Sequence, residues 1–372
     1  MAGLKYWVWL SEVKGLTNRS KLLLLDHFGS PENIFYADED EYRLVEGIEP
    51  RQIALLAEKS MEDADRILGA CSRLGLRLLT MQDADYPVRL RSIFEPPCLL
   101  YVKGQLPVID EEVAVAMVGT RKASPYGVEA AEKIAYGLSR QGAVVISGAA
   151  AGVDSASHRG ALRAGGKTIA VLGNGLDVVY PAENEWLYRD IAASGALISE
   201  YPPGTAAEAW HFPVRNRIIS GLSLATIVVE APEKSGALIT AKYALENDRD
   251  VFAVPRNITD TNSLGTNKII QQGAKLINGA ADIISEYPYA EKVIPKKVKS
   301  EPIQKTVDDS KYSKLNEFEK QIIDILKKSD MQIDELSREL KRNVSEINTK
   351  LIMLEVKGLV KKLPGSKYQL KL

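Results

Sequence analysis

Cysteine is almost missing from this chain: 372 residues include only Cys71 and Cys98. Two thiols so far apart exclude a disulfide framework and a zinc site, and they fit a reducing compartment. Histidine is as scarce. His27, His158 and His211 are scattered, so no metal-ligand spacing exists among them. Long apolar runs are absent too. Tyr6-Trp7-Val8-Trp9-Leu10 is far too short for a membrane span, and it runs into Glu12 and Lys14 without the layout of a signal peptide. There is no charge excess of either sign: the formal net charge is -1, so a nucleic-acid partner would have to be held by a local patch rather than a global field. These absences predict a soluble cytoplasmic protein with no membrane contact and no resident metal or cofactor.

What is present is apolar mass and pattern. Hydrophobic residues make up 45% of the chain, enough for more than one core. Residues 1–80 have helical spacing, with Gly15, Gly29, Pro31 and Gly47 as punctuation. The helices paired around Gly47-Ile48 fit a helix-hairpin-helix or sterile-alpha-motif-like unit, and equally a helical interaction module or packing extension. Residues 81–286 alternate short Val/Ile/Ala runs with helical patterns. Strands are expected at 113–118, 144–146, 168–172, 225–229 and 251–254, and helices at 126–140, 154–164, 183–194, 214–222 and 236–247. Near-continuous apolar strands are buried on both faces, so the alternation predicts an α/β doubly wound parallel sheet. Residues 287–312 hold Pro288, Pro295 and Pro302 among lysines and read as a linker. Residues 313–372 read as three helices and a hairpin, which is a winged helix. Its third helix carries Glu346 and Glu355 beside Lys350 and Lys357, poor material for a major groove and better suited to a protein contact.

In open parallel sheets, ligands bind beyond the carboxyl ends of the strands. The glycine-rich turns of the central region fall there. The first predicted strand runs into Gly119-Thr120-Arg121-Lys122-Ala123-Ser124, offering close backbone approach, hydroxyls and a guanidinium fork. The second ends in Ser147-Gly148-Ala149-Ala150-Ala151-Gly152-Val153-Asp154, where Asp154 is placed as a helix N-cap. The fourth leads to Ser235-Gly236 at a helix start. Phe212-Pro213-Val214-Arg215-Asn216-Arg217 stands just before an apolar helical run and combines an aromatic ring with phosphate donors. Each turn alone could be ordinary; together they line one rim with small residues and donors.

Two motifs are refused. Ala161 to Thr168 matches a loose P-loop pattern but runs from helix into strand, the reverse of a P-loop, and Gly165-Gly166 reads as a helix C-cap. The G-x-G-x-x-G fingerprint is absent after the first strand. His158 lies one turn from Asp154, but nothing supplies an oxyanion hole or a metal, so a structural or ligand-lining role is expected.

The ordered set Val118-Gly119-Thr120-Arg121, Ser147 to Asp154 with His158, Val171 to Asp177, Tyr180-Pro181, Ser199-Glu200, Phe212 to Arg217 and Ser235-Gly236-Ala237 resembles the DNA-processing DprA (Smf) family over most of residues 85–280. The resemblance implies a Rossmann-like domain flanked by sterile-alpha-motif-like and winged-helix additions. It also implies a single-stranded DNA binder rather than an enzyme. Such a protein protects incoming strands in natural transformation, loads the recombinase RecA, and forms a homodimer through the Rossmann-like domain. Carried over by position, Gly119, Thr120, Arg121 and Ser124 hold the backbone, with Arg121 gripping a phosphate. Gly148 and Gly152 admit the strand. Phe212 stacks a base, Arg215, Asn216 and Arg217 form the pocket, and Ser235 and Gly236 offer donors. Two departures from the family pattern stand out. Ala149 replaces a usual Leu, and Arg256 replaces a usual Gly, which puts the local turn in doubt or adds to the basic patch. The competing class is a nucleotide phosphoribohydrolase of the lysine-decarboxylase-like group. That group carries a Pro-Gly-Gly-x-Gly-Thr turn where this chain has Glu233-Lys234-Ser235-Gly236-Ala237-Leu238.

Overall fold

The computed structural model describes residues 3–287, 315–328, 331–340, 342–357, 359–363 and 367–370. The chain divides into two compact units, Met1–Ile294 and Pro295–Leu372. Apart from Tyr287, the predicted 287–312 linker lies outside the described residues, as does the Pro364-Gly365-Ser366 turn.

The first unit is built on one sheet of nine strands: β1 Arg77–Thr80, β2 Leu99–Gly104, β3 Ala114–Gly119, β4 Val144–Ser147, β5 Thr168–Leu172, β6 Ala196–Ser199, β7 Ala225–Glu230, β8 Asp250–Ala253 and β9 Lys275–Leu276. Their spatial order is β1-β2-β6-β5-β4-β3-β7-β8-β9. From β6 to β9 every pairing is parallel, while β2 runs antiparallel to both β6 and β1. The five predicted strands are β3, β4, β5, β7 and β8, within a residue or so at either end. The sheet is therefore mixed and wider than expected, and β1 takes the last residues of the region predicted as helical.

Chain order reverses around β3. β4, β5 and β6 lie on one side of it, β7 and β8 on the other. That reversal opens a crevice at the carboxyl ends of β3, β4 and β7.

Helices Pro125–Arg140, Val153–Arg163, Glu185–Ser194, His211–Gly221 and Gly236–Glu246 connect the strands. The N-terminal helices, from Leu4–Glu12 to Glu62–Leu74, do not have a separate core. Trp7, Leu10, Leu24, Tyr42 and Ile67 share one buried cluster with Tyr101, Ala170, Leu172 and Leu197 of the sheet.

The second unit is a winged helix. Helices Glu317–Lys328, Ile333–Leu340 and Val344–Val356 pack with a three-stranded sheet ordered β10-β12-β11, where β10 is Met331–Gln332, β11 Val360–Leu363 and β12 Lys367–Leu370. Ile322, Leu326, Leu336, Leu351, Leu354 and Tyr368 fill its core. Asn343 caps the third helix by accepting from Ser345 N at 3.1 Å. That helix leaves Ile352 and Met353 half-exposed.

Candidate nucleic-acid interface

A cavity of about 320 Å³ lies at the reversal point. The turn after β3 contributes Gly119, Thr120 and Arg121. Phe212, Arg215 and Asn216 come from the first two turns of the His211–Gly221 helix, and Ser235 and Gly236 from the start of the Gly236–Glu246 helix. Ala150, Asp154 and Lys234 complete the parts that matter here. Ser235 caps its helix through Ala237 N at 3.3 Å. The starts of two helices thus line the space with the positive ends of their dipoles, which favours an anion.

The Arg215-Asn216-Arg217 trio does not act as one patch. The helix begins at His211, earlier than its apolar run indicates, so the trio sits inside the helix and consecutive side chains point about 100° apart. Asn216 faces the cavity and its Nδ2 donates to Gly236 O at 3.3 Å. Arg215 turns inward. It is buried, donates through Nη1 to Gly148 O at 3.1 Å and to Val171 O, and through Nε to Asn216 Oδ1 at 3.2 Å. Arg217, nearly opposite Arg215, leaves the cavity altogether. It is 5% exposed and grips both carboxylate oxygens of Glu200 at 2.7 and 2.8 Å. Asn18 of the N-terminal region donates to the same carboxylate at 3.0 Å. Arg217 is therefore an interior ion pair that ties the helix to the end of β6, not a ligand contact.

The glycines expected to admit a strand admit the protein itself. A Cβ on Gly148 would stand 2.4 Å from Arg215 Nη2. Gly152 has φ +79°, and a Cβ there would meet Thr120 O at 2.4 Å. Neither lines the cavity. Gly152, not Asp154, holds the N-cap position of the Val153–Arg163 helix; Asp154 lies in the first turn and accepts from Gly148 N at 3.2 Å.

Ser124 is likewise spent on structure. Its hydroxyl accepts from Gly127 N at 3.1 Å, capping the Pro125–Arg140 helix, and donates to Glu230 at 3.2 Å. Glu230, fully buried at the end of β7, also accepts from Asn262 Nδ2 at 2.7 Å and pairs with Arg256 at 2.6 Å. Arg256 is bound to Asp260 as well. Its charge is neutralised there and adds nothing to a basic patch; the turn that holds it is intact.

Electrostatics divide the site by depth. Burial pushes the Asp154 carboxyl up to about 6, against the opposing pull of Arg215. Burial likewise lowers the pKa of Arg215, which Asp154 partly restores. Below them, Thr168 Oγ1 gives its proton to Val145 O at 2.7 Å, so His158 Nδ1–H donates to Thr168 at 2.7 Å and Nε2 is left without a partner. Burial, helped by Arg215, lowers its pKa to about 3. His158 is a neutral structural residue. At the rim, by contrast, Arg121 is exposed, its guanidinium 4.6 Å from the centroid of Phe212. Phe212 lines the cavity, half-buried, with Tyr180 stacked on it at 5.5 Å.

This architecture has relatives. A family model for DNA recombination-mediator protein A matches residues 77–288, and one for the DprA winged helix domain matches 309–366. The chain belongs to the DprA (Smf) family. It is 33% identical to protein Smf of Synechocystis sp. over 98% of both chains. The X-ray structure of DNA processing protein A from Streptococcus pneumoniae superposes with a TM-score of 0.67 at 37% identity, covering 76% of this chain and 97% of that one. The DprA of Helicobacter pylori, solved for its single-stranded DNA binding mode, gives a TM-score of 0.52 at 29% identity over 57% of this chain and 96% of that one. Two side chains on the rim of this DprA fold escaped the sequence reading as functional groups: Lys234, and the Tyr180 ring, whose contact with Phe212 bridges 32 positions. Only the family's Tyr180-Pro181 motif hinted at the second. Among the described residues no helix is long and apolar enough to cross a membrane.

Proposed function

We propose that the cavity binds single-stranded DNA with little sequence preference, through phosphate contacts and ring stacking. The observation that carries this reading is Arg121, an exposed guanidinium with no carboxylate partner among the described residues, at the mouth of a cavity lined by helix first turns and by Asn216 and Ser235. A cation so placed grips phosphate as a fork. Phosphate contacts and ring stacking carry little sequence information, so such binding is sequence-tolerant. The Helicobacter pylori relative, described by its single-stranded DNA binding mode, supports the same reading.

Within this proposal the protein acts in the cytoplasm as a homodimer through its Rossmann-like domain. It shields incoming single strands during transformation and loads RecA onto them, and it is not an enzyme. Loading is tested by following RecA-driven strand exchange on protein-coated single strands; no acceleration by the protein would remove that step. Light scattering of the purified chain tests the dimer. The phosphoribohydrolase alternative is disfavoured by the Glu233 to Leu238 turn; release of free base from nucleoside monophosphates would restore it.

A further inference from the structure

Phe212 offers less open ring than its place in the sequence implies. Tyr180 stacks on it with planes 29° apart, Arg121 lies over it, and Gly173 packs so closely that a Cβ there would come within 3.1 Å of its ring. Two more exposed rings stand near it, in space or in the chain: Tyr180, 40% exposed and in contact with it, and Trp210, 61% exposed and two residues before it. Both rings are held in place. The Tyr180 ring rests on Phe212, and its carbonyl accepts from Tyr188 Oη at 3.0 Å. The Trp210 indole donates Nε1–H to Glu208 at 2.5 Å and meets the His211 ring edge-on at 4.0 Å. His211 is itself buried, bonded to Gly173 O at 2.9 Å and packed on Tyr201.

Rings held rigid, open on one side and set beside a cation have the properties on which unpaired bases stack. Positive charge is at hand: Arg121 and Lys234 line the cavity and are exposed, and Lys122 is exposed next to Arg121 in the chain, while the Glu208 carboxylate is hydrogen-bonded to the indole.

We propose that Tyr180 and Trp210 are the base-stacking surfaces of this site for single-stranded nucleic acid, while Phe212 is a positioning residue that sets the Tyr180 ring. The inference rests on the single-strand reading of the cavity. It makes the site longer than one nucleotide, since bases stack outside the cavity as well as phosphate sitting within it.

The test uses the full chain carrying Trp186→Phe, which leaves Trp210 as the exposed tryptophan; Trp7 and Trp9 are buried. Labelled oligo-dT is titrated while strand anisotropy and tryptophan emission are followed together. The proposal expects saturable quenching that tracks the anisotropy. It also expects Trp210→Ala and Tyr180→Ala each to weaken affinity by roughly 5- to 150-fold, with Trp210→Phe and Tyr180→Phe close to the parent. The quenching is read on the intact ring, so it does not depend on the alanine variants folding. Normal oligo-dT binding with unchanged emission, and with affinity indifferent to both alanine variants, overturns the stacking assignment and leaves the single-strand reading standing. Absence of any anisotropy change overturns the single-strand reading itself, and this inference with it.

Discussion

Arg121 and Arg217 are the same residue in the same family pattern, and they belong to different parts of the molecule. Arg121 stands in water at the rim of the crevice, over a ring and near helix first turns. Arg217, on the side of its helix away from the cavity, is sealed in the interior, both oxygens of Glu200 in its grip and Asn18 alongside. The rim is a surface that can meet an anion. The floor is a set of internal bonds that holds three segments of chain in place: the end of β6, the His211–Gly221 helix and the N-terminal helices. Residue type does not separate the two tiers; burial and partner do.

The largest effect should come from breaking the floor. Arg217→Ala leaves Glu200 short of its cation in a mostly buried position, which costs about 3–5 kcal/mol. The expected result is a large drop in thermal midpoint, with the remaining folded protein still able to bind oligo-dT. A stable Arg217→Ala protein that had lost binding would move Arg217 to the rim.

Gly148→Ala comes next. Its Cβ would displace the Arg215 guanidinium from Gly148 O and Val171 O. Loss of hydrogen bonds to a buried charge costs about 2–3 kcal/mol, read as a shifted denaturant midpoint at unchanged slope. An unshifted midpoint would mean that the glycine leaves room for a ligand after all.

Arg121→Ala should do the reverse. Stability stays within about 0.5 kcal/mol, as for an exposed position, while oligo-dT affinity falls by about 1.5–3 kcal/mol, the worth of a bond to a charged group.

The smallest effect per step, at one pH unit, concerns the buried titrating groups His158 and Asp154. An unfolded chain protonates His158 below its ordinary 6.5, but the folded chain refuses that proton until about 3, so this group's stabilisation is present above 6.5 and lost as the pH falls. Asp154 works in the opposite direction. Its folded value is raised to about 6, so the folded chain takes a proton the unfolded chain refuses, and stability is gained between about 6 and 3.8. The two slopes cancel over that window. His158→Gln leaves only the second. Relative to the parent, the variant should gain at most about 1.4 kcal/mol for each pH unit of acidification, measured by chemical denaturation from pH 6.5 to 4. Parallel curves for the two proteins would show that His158 does not titrate in this way.

The inner sheet was legible because strands buried on both faces carry unbroken apolar runs, as in Thr168-Ile169-Ala170-Val171-Leu172. The outer strands were not. β9 is two exposed residues, and β1 has only its last two positions buried, so neither leaves a run to read; β2 and β6 do carry short buried runs, Leu99-Leu100-Tyr101-Val102 and Ala196-Leu197-Ile198, and were passed over. The site shows the same limit. Gly148 and Gly152 were read as admitting a DNA strand, but the atoms close to them belong to Arg215 and Thr120, brought there from distant positions. Arg217 could not be told from Arg215 before the helix was known to start at His211. Tyr180 was visible as part of a motif, yet its ring matters only once the chain has folded it onto Phe212.

The most direct test of the division into rim and floor is the salt dependence of oligo-dT binding in the parent protein and in Arg121→Ala. Binding by the parent should weaken steeply with salt, and the slope should be shallower by about 0.7 in the variant, one phosphate contact on a single strand, at an unchanged melting temperature. Identical slopes and affinities in the two proteins would contradict that division, because the one exposed guanidinium assigned to phosphate would then touch none.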